Sequence, residues 1–253
     1  MVERIKRRVL KVIRKALMFF EEISLSIKRG LGMRLVFIGP PGVGKGTYAQ
    51  AVKEKYGIPH ISTGDIFREE VKKGSELGVK VKEYMDRGLL VPDDLVIEVI
   101  KRRLQEEDCK KGFILDGFPR TLAQAEALEE FARPDLVLDF VAREDVIIER
   151  VSGRRVCSVC GAIYHVKYMP PKVPGVCDRC GGPLILRKDD RPEVVKQRLE
   201  IFQQQFTPII RFYEERKRLI IIEANEQAEA VVPKVFNAIE KYFLLKGSGK
   251  GQL

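Results

Sequence analysis

Arg34-Leu35-Val36-Phe37-Ile38-Gly39-Pro40-Pro41-Gly42-Val43-Gly44-Lys45-Gly46-Thr47 decides how the rest of the chain is read. Its first part is a short apolar run stopped by a Gly/Pro loop, the look of a strand buried in a parallel sheet. The loop leads into a helix, and strand, glycine-rich turn and helix together form the context that a phosphate-binding loop requires. Gly42, Gly44 and Gly46, with Val43 between them, let backbone N–H groups turn inward around phosphate oxygens, the helix presents its positive end, and Lys45 adds a point charge. Thr47 carries a hydroxyl placed to ligate magnesium. The spacing departs from the general form of such loops in one respect: Gly46 is inserted between Lys45 and Thr47.

Three further apolar runs follow. Phe113-Ile114-Leu115 ends at Asp116-Gly117, Asp135 to Val141 follows a helical stretch from Gln124 to Phe131, and Leu219 to Ile222 follows a long helical segment from Pro192 to Arg218. Strands alternating with helices predict an α/β fold, a central parallel sheet flanked by helices. The segment 154–190 breaks that rhythm with Gly, Pro and paired Cys, and reads as an insertion. No internal repeat is present. The tail Lys246 to Leu253, rich in Gly, Ser and Lys, is expected to be disordered.

The 253 residues suffice for one large core, and 45% hydrophobic against 32% charged residues is the balance of a soluble globular enzyme. Before Glu21 the longest apolar run is Ala16 to Phe20, too short to cross a bilayer, and no secretory cleavage pattern follows it, so the expected location is cytoplasmic. The formal charge of +10 is local: residues 1–32 hold nine Lys/Arg against three Glu, which leaves +4 for the remainder. That small excess suits a cleft gripping polyphosphates and does not require nucleic acid as a partner.

Cys157-x2-Cys160 and Cys177-x2-Cys180, separated by sixteen residues, have the spacing of a zinc ribbon. Four thiolates saturate tetrahedral zinc and leave no open position, so the metal would be structural, holding together an insertion too small to build a core. Iron in the same cage and a pair of disulfides are the competing readings. Cys109 stands outside the pattern.

Ile61-Ser62-Thr63-Gly64-Asp65-Ile66-Phe67-Arg68 and Leu115-Asp116-Gly117-Phe118-Pro119-Arg120-Thr121, taken with the loop and the cysteines, resemble the adenylate kinase family, in its long type with a zinc-binding lid. The resemblance covers residues 33 to about 243. It implies a P-loop nucleoside monophosphate kinase fold with a CORE at 33–61, 92–153 and 191–245, an NMP-binding insertion at 62–91 and a LID at 154–190. It implies reversible, magnesium-dependent phosphoryl transfer, ATP + AMP = 2 ADP, in adenine nucleotide homeostasis. By the same resemblance Arg68 and Arg120 hold the AMP phosphate, Thr63 and Gln124 face its base, and Leu89, Leu90, Val91, Gly117, Phe118 and Pro119 line its site. Arg154, Arg187 and Arg198 converge on the transferring group, Arg150 lies against the donor base, and Ile163-Tyr164 forms the lid's ATP-contacting turn, with Ile222 near the donor adenine. Two polyanions brought together need fixed cations, and guanidinium forks fit phosphate bidentately. Asp116, at the end of its apolar run, is either a carboxylate holding water around magnesium or a turn-forming residue. His165 reads as structural rather than catalytic. Where relatives place a glycine after the last strand, this chain has Ile222-Glu223-Ala224-Asn225, which predicts relaxed donor-base selectivity.

Residues 1–32 lie outside the resemblance. Val2, Ile5, Val9, Val12, Ala16, Phe19 and Ile23 recur at helical spacing, and Ile13, Phe20 and Ile27 widen the stripe. The leading expectation is self-association through this helix, for which a trimer suits the width; docking on the body and adsorption to a membrane surface are the rivals. Two other functions compete with the main one: a UMP/CMP-type kinase, and a nucleic-acid-binding zinc protein with a regulatory P-loop.

Overall fold

The computed structural model describes residues 32–247. The readings for residues 1–31, including the amphipathic helix, and for residues 248–253 lie outside the described residues. In chain order the elements are β1 (Met33–Ile38), α1 (Lys45–Tyr56), β2 (His60–Ser62), α2 (Thr63–Lys73), α3 (Glu76–Arg87), α4 (Asp93–Leu104), β3 (Gly112–Asp116), α5 (Leu122–Ala132), β4 (Leu136–Val141) and α6 (Glu144–Gly153). There follow β5 (Arg154–Cys157), β6 (Ile163–His165), β7 (Leu184–Ile185), α7 (Pro192–Glu215), β8 (Leu219–Glu223) and α8 (Ala228–Gly247).

The main sheet is five-stranded and parallel, in the order β2-β3-β1-β4-β8. Leu35 stands opposite Ile114 of β3 on one side and Leu136 of β4 on the other. All four apolar runs of the sequence are strands of this sheet. The fifth, β2, pairs Ile61 with Leu115 at the sheet edge. It is too short and too polar at its ends to announce itself.

Strand alternation sends successive side chains to opposite faces, and each face has its own core. Leu35, Phe37, Leu138 and Phe140 pack with Tyr48 and Val52 of α1 and Val231, Val235 and Ile239 of α8. Val36, Ile38, Leu115 and Val137 pack with Val96, Val99 and Ile100 of α4, Ala125 and Leu128 of α5, and Ile209 and Tyr213 of α7. Complete burial of a Val, Leu, Ile or Phe side chain among these contributes roughly 1.5–3 kcal/mol. Helix starts are set by short polar side chains: Ser62 accepts from Asp65 N at 3.2 Å, Ser75 from Gly78 N at 3.0 Å and Thr121 from Gln124 N at 3.2 Å.

The segment read as an insertion forms its own small antiparallel sheet, β6-β5-β7. The tail reading needs correction at its start: α8 runs on through Gly247, because Tyr242 Oη donates to the Asp135 carbonyl at 2.6 Å and Lys246 Nζ bonds the Asp135 carboxylate at 2.8 Å. No described helix is long and apolar enough to cross a membrane.

Candidate active site and lid metal centre

The chain lays down β2 and β3 on one side of β1 and then crosses to add β4 and β8 on the other, so a crevice opens beyond the C-terminal end of β1. The glycine-rich loop fills that position. Gly39 has φ 136°, and a Cβ there would fall 2.5 Å from the Phe140 carbonyl oxygen, so only glycine lets the loop rest on β4. Lys45 opens α1 and donates to the carbonyls of Gly39 (2.7 Å) and Pro40 (2.8 Å). Arg150 on α6 donates to the carbonyls of Val43 (2.8 Å), Ala224 (2.7 Å) and Glu226, which ties the loop to the chain that follows β8.

A cavity of about 530 Å³ lies over this loop, and Lys45, Arg68, Arg120, Arg154, Arg187 and Arg198 all line it. They come from six places between α1 and α7, and the fold gathers them. Gly42, Gly44, Gly46, Thr47, Asp116, Gly117, Pro119, Arg150, Ile163 and Tyr164 line the same space. Crowding cations in a buried cleft has an electrostatic cost. Burial pushes Lys45 down to about 8, with Arg120, Arg198 and Arg154 adding to the effect and Asp116 opposing it. Burial, then repulsion from neighbouring arginines, pushes Arg120 and Arg187 down to about 10 each. The Nε of Arg187 is buried and has no hydrogen-bond partner among the described residues.

Carboxylates hold the array in place. Asp190, 3% exposed, receives both Nε (2.7 Å) and an Nη of Arg154, and Asp189 receives Arg198 at 2.9 Å. Burial alone would raise Asp116, but the hydrogen bond to His60 at 3.2 Å and the charges of Lys45 and Arg120 outweigh it and hold it below the usual carboxylate range. A methyl placed on Gly46 would lie 3.7 Å from Asp116 Oδ2 and 3.6 Å from the Ile163 side chain, so carboxylate, loop and lid meet at one point.

A second space of about 60 Å³ adjoins the first and is lined by Thr63, Arg68, Leu89, Leu90, Val91, Gly117, Arg120, Gln124 and Arg198. Gln124 is 1% exposed; its Oε1 accepts from Arg120 N at 2.8 Å and its Nε2 donates to Asp93 at 2.7 Å. One N–H and one lone pair of that amide remain for a ligand edge. Thr63 donates to the Gly117 carbonyl at 2.9 Å.

Three expected residues border neither space and turn their side chains inward, although the part read for Val43 is that of its backbone N–H. Ile222 is 5% exposed and packs in the core against α1 and α8; the lining there is Asn225 to Glu229 instead. Val43 and Phe118 are wholly buried and line neither space, since their side chains complete the two cores. His60, Asp93, Asp189 and Asp190 are the partners that sequence reading did not assign. A carboxylate paired with an arginine 36 positions away, as Asp190 with Arg154, leaves no local pattern.

On the lid, the sulfurs of Cys157, Cys160, Cys177 and Cys180 all lie within 4.8 Å of one another. Cys157 and Cys180 are 3.4 Å apart and Cys160 and Cys177 3.6 Å apart. These are free thiols, far beyond the roughly 2.05 Å of a disulfide, and close to the edge of about 3.8 Å expected when four sulfurs sit at 2.3 Å from one tetrahedral zinc. The donor set fits zinc. The Tyr164 hydroxyl is the leading influence holding the Cys177 thiol down to about 6, toward the thiolate that ligates metal. His165 is structural in its contacts: its Nδ1 accepts from the Lys167 and Tyr168 N–H groups at 3.1 Å each, and its ring stacks on Tyr168.

A family model described as adenylate kinase matches residues 37–218. An adenylate kinase of Caldicellulosiruptor saccharolyticus is 51% identical over 212 residues, covering 82% of this chain and 99% of that protein. One from Archaeoglobus fulgidus is 50% identical over 214 residues, covering 83% of this chain and 99% of its own length. One from Thermosipho melanesiensis is 48% identical over 214 residues, with 83% and 100% covered. Likeness at that level across the full length of bacterial and archaeal relatives alike means that the chain belongs to the adenylate kinase family.

Proposed function

We propose that the chain transfers a phosphoryl group reversibly between ATP and AMP, and that the single observation carrying this is the convergence of Lys45 and five arginines on one cavity. In the transfer, an AMP phosphate oxygen forms a bond to the γ-phosphorus of ATP as the bond from that phosphorus to the β–γ bridging oxygen breaks. ADP departs on one side and ADP is formed on the other, and no protein side chain need take up a proton. Charge spreads over the three equatorial oxygens, so catalysis is positioning plus electrostatic stabilisation. Lys45 and the backbone of Gly42 to Thr47 cradle the donor phosphates, Arg68 and Arg120 grip the AMP phosphate, and Arg154, Arg187 and Arg198 face the group in flight. The orphan Nε of Arg187 is a donor awaiting such an oxygen. Gln124 and Thr63 read the acceptor base, and its free donor and acceptor suit adenine. Magnesium, when bound, neutralises phosphate charge; Thr47 and Asp116 are the residues that would hold it and its waters.

Residues 62–91 serve as the NMP-binding segment and 154–190 as a lid that excludes water, with zinc as its structural metal. Asn225 to Glu229 line the cavity beyond β8 and Ala224 gives its carbonyl to Arg150, so donor-base selectivity is set there by backbone groups, and GTP, CTP and UTP serve as slower donors. Residues 1–32 are a self-association segment of a cytoplasmic enzyme; light scattering at micromolar concentration giving a monomer mass would remove that reading. The main test is coupled detection of ADP from ATP plus AMP with and without magnesium. Magnesium-dependent ADP formation, abolished in Arg120→Ala, is expected; UMP or CMP replacing AMP as the preferred acceptor would overturn the acceptor assignment.

A further inference from the structure

The lid strand β6 has two faces of different character. Ile163 and His165 project from one, and Ile163 reaches to within 3.6 Å of a methyl built on Gly46 of the phosphate loop. Tyr164 lies between them and also borders the cavity, while its hydroxyl reaches back to the cysteine loop. Its hydroxyl accepts from the Asp178 backbone N–H at 2.8 Å and lies 3.5 Å from the Cys177 sulfur. Cys177 is 2% exposed, so little water competes for that contact. A metal-ligating sulfur is a thiolate with no proton to give. The one proton in the contact is then the hydroxyl's, and the bond must run from Tyr164 to Cys177.

We propose that Tyr164 is a positioning residue that couples the metal site to the donor nucleotide site: its hydroxyl donates to the Cys177 thiolate, which fixes β6 against the cysteine cage and so holds Ile163 over the phosphate loop. Partners of this kind orient a ligand and tune its charge, and their loss commonly weakens metal binding 10- to 100-fold. Linkage makes the effect mutual: if metal favours the β6 position that donor nucleotide needs, donor nucleotide favours metal by the same factor. The inference rests on reading the four cysteines as a metal site.

The test uses the full chain and Tyr164→Phe, which keeps the ring and removes only the hydroxyl. Zinc affinity is measured by competition with a chromophoric chelator. The variant is expected to bind zinc about 10-fold more weakly. Tyr168→Phe, on the same lid with its ring stacked on His165 at 4.5 Å, is expected to bind as the parent does. With cobalt in place of zinc, the sulfur-to-metal charge-transfer band of Tyr164→Phe is expected at longer wavelength, because a hydrogen bond lowers the energy of the sulfur lone pair it engages. A fluorescent ATP analogue is expected to bind the zinc-loaded parent several-fold more tightly than the metal-free protein, with that ratio near one in Tyr164→Phe. Equal zinc affinity and an unshifted cobalt band in the variant would overturn the role of the hydroxyl. A parent protein that takes up no zinc or cobalt would overturn the metal reading itself, a distinct result.

Discussion

Replacing Asp139 with asparagine should change how stability depends on pH. Asp139 lies within β4, opposite Ile38 and Ile221 in the parallel register, is 4% exposed, and its Oδ1 has no hydrogen-bond partner among the described residues. Burial pushes its carboxyl up to about 7; Lys45 pulls the other way, and Glu214 adds to the rise. Below about pH 4 the acid is protonated in folded and unfolded chains alike and contributes no pH dependence. Between about 4 and 7 the unfolded chain has released the proton and the folded chain keeps it, so stability falls by about 1.4 kcal/mol per pH unit. Above 7 both forms are ionised and the penalty levels off near about 4 kcal/mol. Asparagine has the same shape and does not titrate. Its amide adds a fixed desolvation cost of about 1–3 kcal/mol at every pH, so the informative quantity is the change with pH and not the offset. From pH 5 to pH 8 the stability of Asp139→Asn relative to the parent should rise by about 2.7 kcal/mol, two units of the slope. Urea denaturation of both proteins at pH 5, 6, 7 and 8 measures it, and every other titrating group cancels in the difference. A difference that stays constant across that range would refute the reasoning.

Three further outcomes are expected. Asp190→Ala leaves the buried Arg154 guanidinium without its carboxylate and should lower stability by about 3 kcal/mol, read from urea midpoints. Arg120→Lys keeps a charge but loses the fork, and should reduce kcat/KM for AMP by about 30- to 100-fold in steady-state assays, with a much smaller effect on KM for ATP. Stripping metal with a chelator and a thiol reagent should open residues 154–190 to limited proteolysis while the five-stranded body stays resistant, because the three short lid strands hold little core of their own.

What could be read in the sequence follows from how local each signal is. The strands β1, β3 and β4 read as apolar runs because both faces are covered, β8 is apolar although Ile221 at the sheet edge is 55% exposed, and the loop Gly39 to Thr47 carries its chemistry in consecutive residues. The cysteines announce themselves by spacing. His60-Ile61-Ser62 offers three residues at a sheet edge, below the length at which alternation is visible. The resemblance puts Ile222 near the donor adenine, but which face a strand residue takes is set by register, and the Ile222 side chain lies in the core with Ala224. Asp139 reads as one polar residue in an apolar run; only the packed sheet reveals a carboxyl with an unpaired oxygen.

The carboxylates that sequence reading left unassigned explain how the cleft can exist. Lys45 and the five arginines around the cavity repel one another, and that repulsion adds to the larger effect of burial in depressing Lys45, Arg120 and Arg187. Asp189 and Asp190 stand among them, and burial, which would raise Asp189, is outweighed by Arg198, Arg68 and Arg187. Several of these pairs join separate segments: Arg187 of the lid lies 3.8 Å from Asp65 of α2, Arg68 of α2 lies 3.8 Å from Asp189, and Lys72 donates to the Ser158 carbonyl at 3.1 Å. At 3.8 Å the first two are loose ion pairs, worth little individually. Phosphate oxygens, with more charge and better donor geometry, can displace them. If these arginines grip phosphate as proposed, binding would exchange two loose carboxylate pairs for stronger ones, and the lid and α2 would be drawn to the same anion instead of to each other.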